Sequence, residues 1–225
     1  MQVARKRKVE RALDVHIPVD QVTLDGELKI PAGATGVVLF AHGSGSSRHG
    51  PRNQFVARAI REAGVGTLLF DLLTRDEESI DIYTGHLRFD IKMLARRLVA
   101  ASNWLLFRKE GRGLRLGYFG SSTGGGAALV AAAELNGKVD AVVSRGGRPD
   151  LAGESLKLVT SPTLLIVGSL DYPVIEMNRD ALAQLTCAKK MEIVPGATHL
   201  FEEPGTLEKV AELASDWFAR YLVKT

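Results

Sequence analysis

The residues best placed to do chemistry lie in Leu114-Arg-Leu-Gly-Tyr-Phe-Gly-Ser-Ser-Thr-Gly-Gly-Gly-Ala-Ala-Leu129, where Gly120-x-Ser122-x-Gly124 separates a short apolar strand pattern from a helix of small residues. A serine on such a tight strand-to-helix turn has its hydroxyl pushed out at the carboxyl edge of a sheet, and glycines on either side let the backbones pack closely. That is the setting of a nucleophile. A phosphate-cradling loop is the competing reading of so many glycines, but no lysine follows Gly124, Gly125 or Gly126.

A serine nucleophile needs a base and a group that orients the base. Thr163-Leu-Leu-Ile-Val-Gly168 is a continuous apolar run, as expected of a strand buried on both faces, and it empties into Ser169-Leu-Asp171-Tyr-Pro173. Asp171 is the acid candidate, with starting the next helix as its alternative role. Lys190-Met-Glu-Ile-Val194 is a further strand, followed by the turn-rich Pro195-Gly-Ala-Thr-His199. His199 is the base candidate, because none of the other histidines (His16, His42, His49, His86) follows Asp171. Upstream, the strand Gly36–Ala41 runs into His42-Gly43-Ser44-Gly45-Ser46-Ser47, whose small residues let backbone amides approach a substrate carbonyl. The N–H groups of Ser44 and of Thr123 are assigned to the oxyanion of a tetrahedral intermediate, where each such donor is worth roughly 3 kcal/mol.

Two arginines raise a question of substrate. Arg145 and Arg148 sit in Ser144-Arg-Gly-Gly-Arg-Pro-Asp150, directly after a strand expected over 139–144. They either clamp a carboxylate or phosphate, whose geometry a guanidinium matches, or are held in ion pairs with Asp150, Asp171 or other loop acids. Arg48 and Arg52, beside the first glycine loop, carry the same two readings.

To position these groups the chain must build an α/β fold. Alternating patterns over 12–17 and 21–30 read as an antiparallel entry pair, with Asp25-Gly26 as its turn or as a bulge inside the second strand. From Val37 onward the sheet is expected to be parallel, with strands near 37–41, 65–71, 114–120, 139–144, 163–168 and 190–194. Helices are expected near 53–63, 86–110, 123–135, 175–186 and 206–223. The result is a mostly parallel, doubly wound sheet of about eight strands flanked by helices, with the site at the carboxyl ends of the strands. No large lid domain fits between these elements. The longest gap, 72–85, is acidic and reads as a solvated loop or one folded over the edge of the site.

His42-Gly43-Ser44-Gly45, the turn Gly120-Ser121-Ser122-Thr123-Gly124, Asp171 and His199 together resemble the α/β-hydrolase superfamily, in particular its small, lidless dienelactone hydrolase-like branch. The resemblance covers nearly the whole chain. Leu72-Leu-Thr-Arg-Asp-Glu-Glu78, Leu87-Arg-Phe-Asp90 and Val143-Ser-Arg-Gly-Gly-Arg-Pro-Asp150 are similar to a bacterial subgroup whose members also occur joined to phosphoribosyltransferase-like domains. Dienelactone hydrolases carry a cysteine nucleophile where this chain has Ser122, and serine favours simple ester hydrolysis over dienelactone chemistry.

Composition fits one enzyme domain over residues 1–225: 45% hydrophobic, 24% charged and a formal net charge of only +3. The basic start Met1–Lys8 therefore reads as a solvated terminus and not as a nucleic-acid arm, and no aromatic residues interleave with it. It lacks the apolar block of a secretory signal, no run suits a membrane span, and the lone Cys187 allows no internal disulfide, so a cytoplasmic protein is expected. The five histidines show no paired metal-ligand spacing, and no metal or other cofactor is expected. These features point to a serine hydrolase that cleaves small carboxylic esters through Ser122, His199 and Asp171, acting as a monomer or homodimer without membrane or nucleic-acid partners. A thioesterase, lactonase or peptidase would use the same three residues, and a non-catalytic ligand-binding protein would keep the fold without the turnover.

Overall fold

Successive residues of the central strands point to opposite faces of a sheet, and here both faces are apolar. The computed structural model describes residues 10–223, so the basic segment Met1–Lys8 lies outside the described residues. Strands β1 (Glu10–Val19), β2 (Val22–Pro31), β3 (Gly36–Ala41), β4 (Gly66–Phe70), β5 (Arg115–Ser121), β6 (Ala141–Arg145), β7 (Thr163–Gly168) and β8 (Lys189–Val194) form one sheet in the order β1-β2-β4-β3-β5-β6-β7-β8. The entry pair β1 and β2 is antiparallel, β2 joins β4 antiparallel, and every later pairing is parallel. This is the expected α/β-hydrolase-like sheet, with no inserted lid domain among the described residues.

Helices α1 (Pro51–Glu62) and α6 (Thr206–Leu222) cover one face, where Val38, Phe40, Phe119, Val143 and Ile166 meet Val56, Ile60, Trp217 and Phe218. Helices α3 (Ile91–Phe107), α4 (Thr123–Glu134) and α5 (Tyr172–Gln184) cover the other, against Leu39, Leu68, Tyr118, Val142 and Leu165. A 3₁₀ segment, Pro149–Leu158, kinked at Gly153, packs beside α4 and α5. It was not expected from the sequence.

Three further expectations need correction. The turn of the entry pair falls at Asp20-Gln21, where Asp20 takes a φ of 51° that aspartate tolerates. Gly26 lies inside an unbroken ladder running from Glu10↔Pro31 to Val19↔Val22, with neither turn nor bulge. It is glycine for space: a Cβ there would stand 3.0 Å from Cβ of Phe70 and 3.1 Å from Cγ2 of Val15.

The acidic segment 72–85 is also no loop, because it holds helix α2 (Arg75–Thr84). Its apolar periodicity is weak, but its ends are signalled. Thr74 Oγ1 accepts from the N–H of Glu77, the Glu77 carboxylate accepts from the N–H of Thr74 at 2.8 Å, and Gly85 closes the helix in the left-handed region. The helix expected from residue 86 begins only at Ile91, capped by Asp90, because the amides of Leu87 and Arg88 are bound instead to the buried Asp81 carboxylate. Glu77 ties α2 to α3 through a two-pronged pair with Arg97 (2.7 and 2.5 Å), and Arg97 also donates to the carbonyl of Leu72 at 2.6 Å. No helix of the described residues is long and apolar enough to cross a membrane.

The Arg97 hydrogen bond and the Thr74 amide hold the Glu77 carboxyl below its ordinary 4.5, against the opposing effect of partial burial. A carboxylate whose pKa is lowered on folding adds stability that is full above the unfolded value and is lost as pH falls from there through the lower folded value. Glu77→Gln is therefore expected to lower unfolding stability by about 1–3 kcal/mol at pH 7. Denaturant melts should show that deficit shrinking below pH 4.5; a deficit unchanged at pH 3 would contradict the role given to the charge.

Candidate active site

The serine expected to act as nucleophile is held in an unfavourable conformation. Ser122, between β5 and α4, has φ 51° and ψ −123°, a region that costs a residue with a side chain about 1–3 kcal/mol. Neighbouring backbone fixes it there. The Ser122 N–H donates to the carbonyl of Arg145 at 3.3 Å, and the Ser122 carbonyl accepts from the N–H groups of Gly125 and Arg148 at 3.0 and 2.9 Å. The glycines around it serve close approach: a Cβ on Gly124 would run into the carbonyl of Ala41, and one on Gly43 would stand 3.0 Å from Cβ of Ser122.

Asp171 occupies the N-cap position of α5 but makes no side-chain cap bond. Its Oδ2 instead accepts from Nδ1 of His199 at 2.7 Å. The aspartate is only 12% exposed and the imidazole 38%, so the pair has one face toward protein and one toward solvent. Ser122 and His199 line the same cavity, about 230 Å³ in volume, together with Gly43, Ser44, Asn53 and Arg145.

The loop after β3 is fixed from three sides. The N–H of Gly43 donates to Ser121 Oγ at 3.1 Å and that of Ser44 to Thr123 Oγ1 at 3.2 Å. His42 accepts from the N–H of Leu72 on Nε2 and donates from Nδ1 to the carbonyl of Gly43, both at 3.0 Å. One accepting and one donating nitrogen make a neutral ring, and burial accordingly pushes the His42 pKa below the ordinary imidazole value. Arg48 is bound through both its N–H and its guanidinium to Asp71 at the end of β4, which settles it as a structural pair. The side chains of His42, Ser121 and Asp71 thus shape the site although the sequence reading gave those side chains no role.

The two arginines after β6 part company. Arg148 grips Asp150 with two hydrogen bonds of 2.8 and 2.7 Å, which raise its pKa, and it does not line the cavity. Arg145 does line it. It is 7% exposed, and its guanidinium makes no hydrogen bond or ion pair to any described residue. Its Nε is buried without a partner, and the guanidinium lies 5.8 Å from the Phe201 ring centroid. Burial, with the nearby Arg52 charge, pushes its pKa down to about 10, which still leaves it charged at neutral pH. Arg52 lines the same cavity and pairs with Glu202 at 2.7 Å. Among the described residues no group of three or more His, Cys, Asp or Glu side chains is arranged to hold a metal ion.

Known proteins carry the same build. A dienelactone hydrolase from Anabaena variabilis is 60% identical and superposes with a TM-score of 0.93, covering 95% of this chain and 99% of its own. Est1E from Butyrivibrio proteoclasticus shares the fold at 17% identity, with a TM-score of 0.77 over 92% of this chain and 98% of its own. Two Mycobacterium tuberculosis proteins, provisionally named phosphoribosyl transferases, are 53% identical over 209 residues, 93% of this chain but 46% of theirs. The chain thus spans about half the length of these curated relatives. The dienelactone hydrolase family matches most of the chain as well. With residues 24–222 matching that family, on the sheet and around the serine turn just described, the chain belongs to the dienelactone hydrolase family.

Proposed function

We propose that the protein is a serine esterase acting on small carboxylic esters. The observation that carries this reading is the 2.7 Å hydrogen bond between His199 Nδ1 and Asp171 Oδ2 at the wall of the cavity that also holds Ser122. With Nδ1 bearing the proton that Asp171 accepts, Nε2 is left as the basic nitrogen. Ser122 attacks the acyl carbon as His199 takes its proton. His199 then returns the proton to the leaving alcohol, and water repeats the cycle on the acyl-enzyme. Asp171 holds the tautomer and stabilises the imidazolium.

The developing oxyanion takes the N–H groups of Ser44 and Thr123. The Thr123 hydroxyl, which accepts the Ser44 amide at 3.2 Å, keeps that donor in place until the acyl oxygen replaces it as acceptor. The cavity is open and modest in size, which suits short acyl groups better than long lipid chains. The transferase name of the mycobacterial relatives belongs to proteins about twice this length, and it fits the joined arrangement that the sequence resemblance implies.

Ser122→Ala is expected to abolish hydrolysis of 4-nitrophenyl acetate, a loss of about 10⁴-fold or more in kcat. Ser121→Ala leaves the Gly43 amide without its acceptor but keeps the nucleophile, so a loss nearer tenfold is expected. A reversal of the two would show that the turn displays the other serine. Asp171→Asn should cost on the order of 10⁴ in kcat with the fold intact, because the amide favours the wrong imidazole tautomer. Near-normal turnover by that variant would mean that the acid lies elsewhere.

A further inference from the structure

We infer that the cavity beside Ser122 contains a built anion subsite, centred on the guanidinium of Arg145, and that the natural ester carries a carboxylate or phosphate seated there. The inference rests on the esterase reading for the reaction but not for the subsite itself. A buried guanidinium without a counter-ion is costly, since no acid or hydrogen-bond acceptor repays its desolvation, and the Phe201 ring at 5.8 Å, near the limit of cation–π range, offsets little of it. Arg145 is in that position: 7% exposed, charged, with no hydrogen bond or ion pair to a described residue and with its Nε buried and unpartnered. A side chain meant only to support the fold would be expected to find an acid, as Arg148 finds Asp150, Arg97 finds Glu77 and Arg48 finds Asp71.

The rest of the wall agrees. Helix α1 points its first turn at the same cavity, with Gly50, Pro51, Arg52 and Asn53 lining it. The helix starts with no side-chain cap and no acidic residue in its first turn, so its partial positive charge is uncompensated there. Asn53 is 3% exposed and its amide oxygen also has no partner; a half-turn of the amide presents its NH₂ to an anion instead. Arg52 adds a second guanidinium, whose only acid contact among the described residues is the exposed Glu202. Two orphaned polar side chains, a helix N-terminus and a second cation therefore converge on one space, and Ser122 and His199 line it as well. An anion held there would bring an ester carbonyl on the same molecule toward the serine.

The test compares two esters differing in charge, 4-nitrophenyl hemisuccinate and 4-nitrophenyl butyrate, in the wild type and in Arg145→Gln, Arg145→Lys and Arg52→Gln. The ratio of kcat/KM values, anionic over neutral, is expected to fall by about tenfold to a hundredfold in Arg145→Gln, the range for loss of a charge-assisted contact. It should fall severalfold in Arg145→Lys, which keeps the charge but not the two-pronged head, and in Arg52→Gln. Equal losses on both esters would overturn the proposal. Calorimetric titration with succinate and with inorganic phosphate separates the two source chemistries: the tighter binder names the group. The same titrations on Ser122→Ala separate the two readings. Anion binding that survives Ser122→Ala and is lost in Arg145→Gln, in a protein that cleaves neither ester, would keep the subsite and reject the esterase. Ester cleavage with no binding of either anion would do the reverse. Should Arg145→Gln fail to give a cooperative melt, undiminished anion binding in both Arg145→Lys and Arg52→Gln would still overturn the subsite.

Discussion

One strained residue organises the edge of the sheet where the cavity opens. Ser122 holds a positive φ only because backbone on three sides leaves it no alternative: the Arg145 carbonyl takes its N–H, while the Gly125 and Arg148 amides take its carbonyl. Those partners exist because β6 lies next to β5 in the sheet and its exit loop folds back over the start of α4. The small residues of Thr123-Gly-Gly-Gly-Ala-Ala are the other half of the arrangement. They let α4 enter so close to the ends of β3 and β6 that a Cβ on Gly124 or Gly126 would collide with backbone and one on Gly125 with the Ser144 hydroxyl. Strain of a few kcal/mol is tolerable in one residue when a two-sided apolar core of this extent surrounds it.

The loop facing Ser122 is held by a relay that starts far from it. Arg97 on α3 binds Glu77 of α2 and the carbonyl of Leu72; the amide of Leu72 binds His42; and His42 binds the carbonyl of Gly43. A peptide plane fixed at its carbonyl is fixed at the next amide too, so this relay helps to orient the Ser44 N–H. The neutrality of His42 matters here, since a second proton would remove the acceptor that Leu72 uses. Burial opposes that proton, although the Gly43 carbonyl and the nearby Asp71 and Glu78 pull the other way.

Much of this was legible in the residues and some of it was not. Most of the sheet was readable because buried parallel strands are continuous apolar runs, and these stand out between Gly36 and Gly168; the half-exposed edge strand β8 (Lys189–Val194) carries two lysines and a glutamate and was marked by Met191, Ile193 and Val194. The placement of Ser122, Asp171 and His199 at one edge was readable because each follows a parallel strand, and a parallel sheet collects the loops after its strands at one edge. The misreadings share a cause, which is that local chemistry has more than one use. Asp25-Gly26 has turn composition, but the space between Val15 and Phe70 decided the glycine. The acidic 72–85 segment lacks an apolar stripe, so its helix was announced only by the Thr74–Glu77 capping pair and Gly85. His42 and Asp71 were illegible for a different reason: their role depends on β3 and β4 being neighbours, which chain order does not state.

The arginines after β6 show how far such reasoning reaches. Sequence placed Arg145 and Arg148 three residues apart on one loop and gave them the same two possible roles. The chain direction at that loop separates them, because a peptide turning over Ser122 sends one side chain into the cavity and the other to Asp150. Arg145 then carries two contacts at once, its carbonyl on the Ser122 amide and its guanidinium on the cavity wall. On the proposed reading, this joins substrate recognition to the strained serine through a single residue. An anion drawing on that guanidinium pulls against a backbone that is itself anchored in β6. The substrate would then be positioned relative to the nucleophile by covalent geometry, and not by the adjustable contacts of a mobile lid.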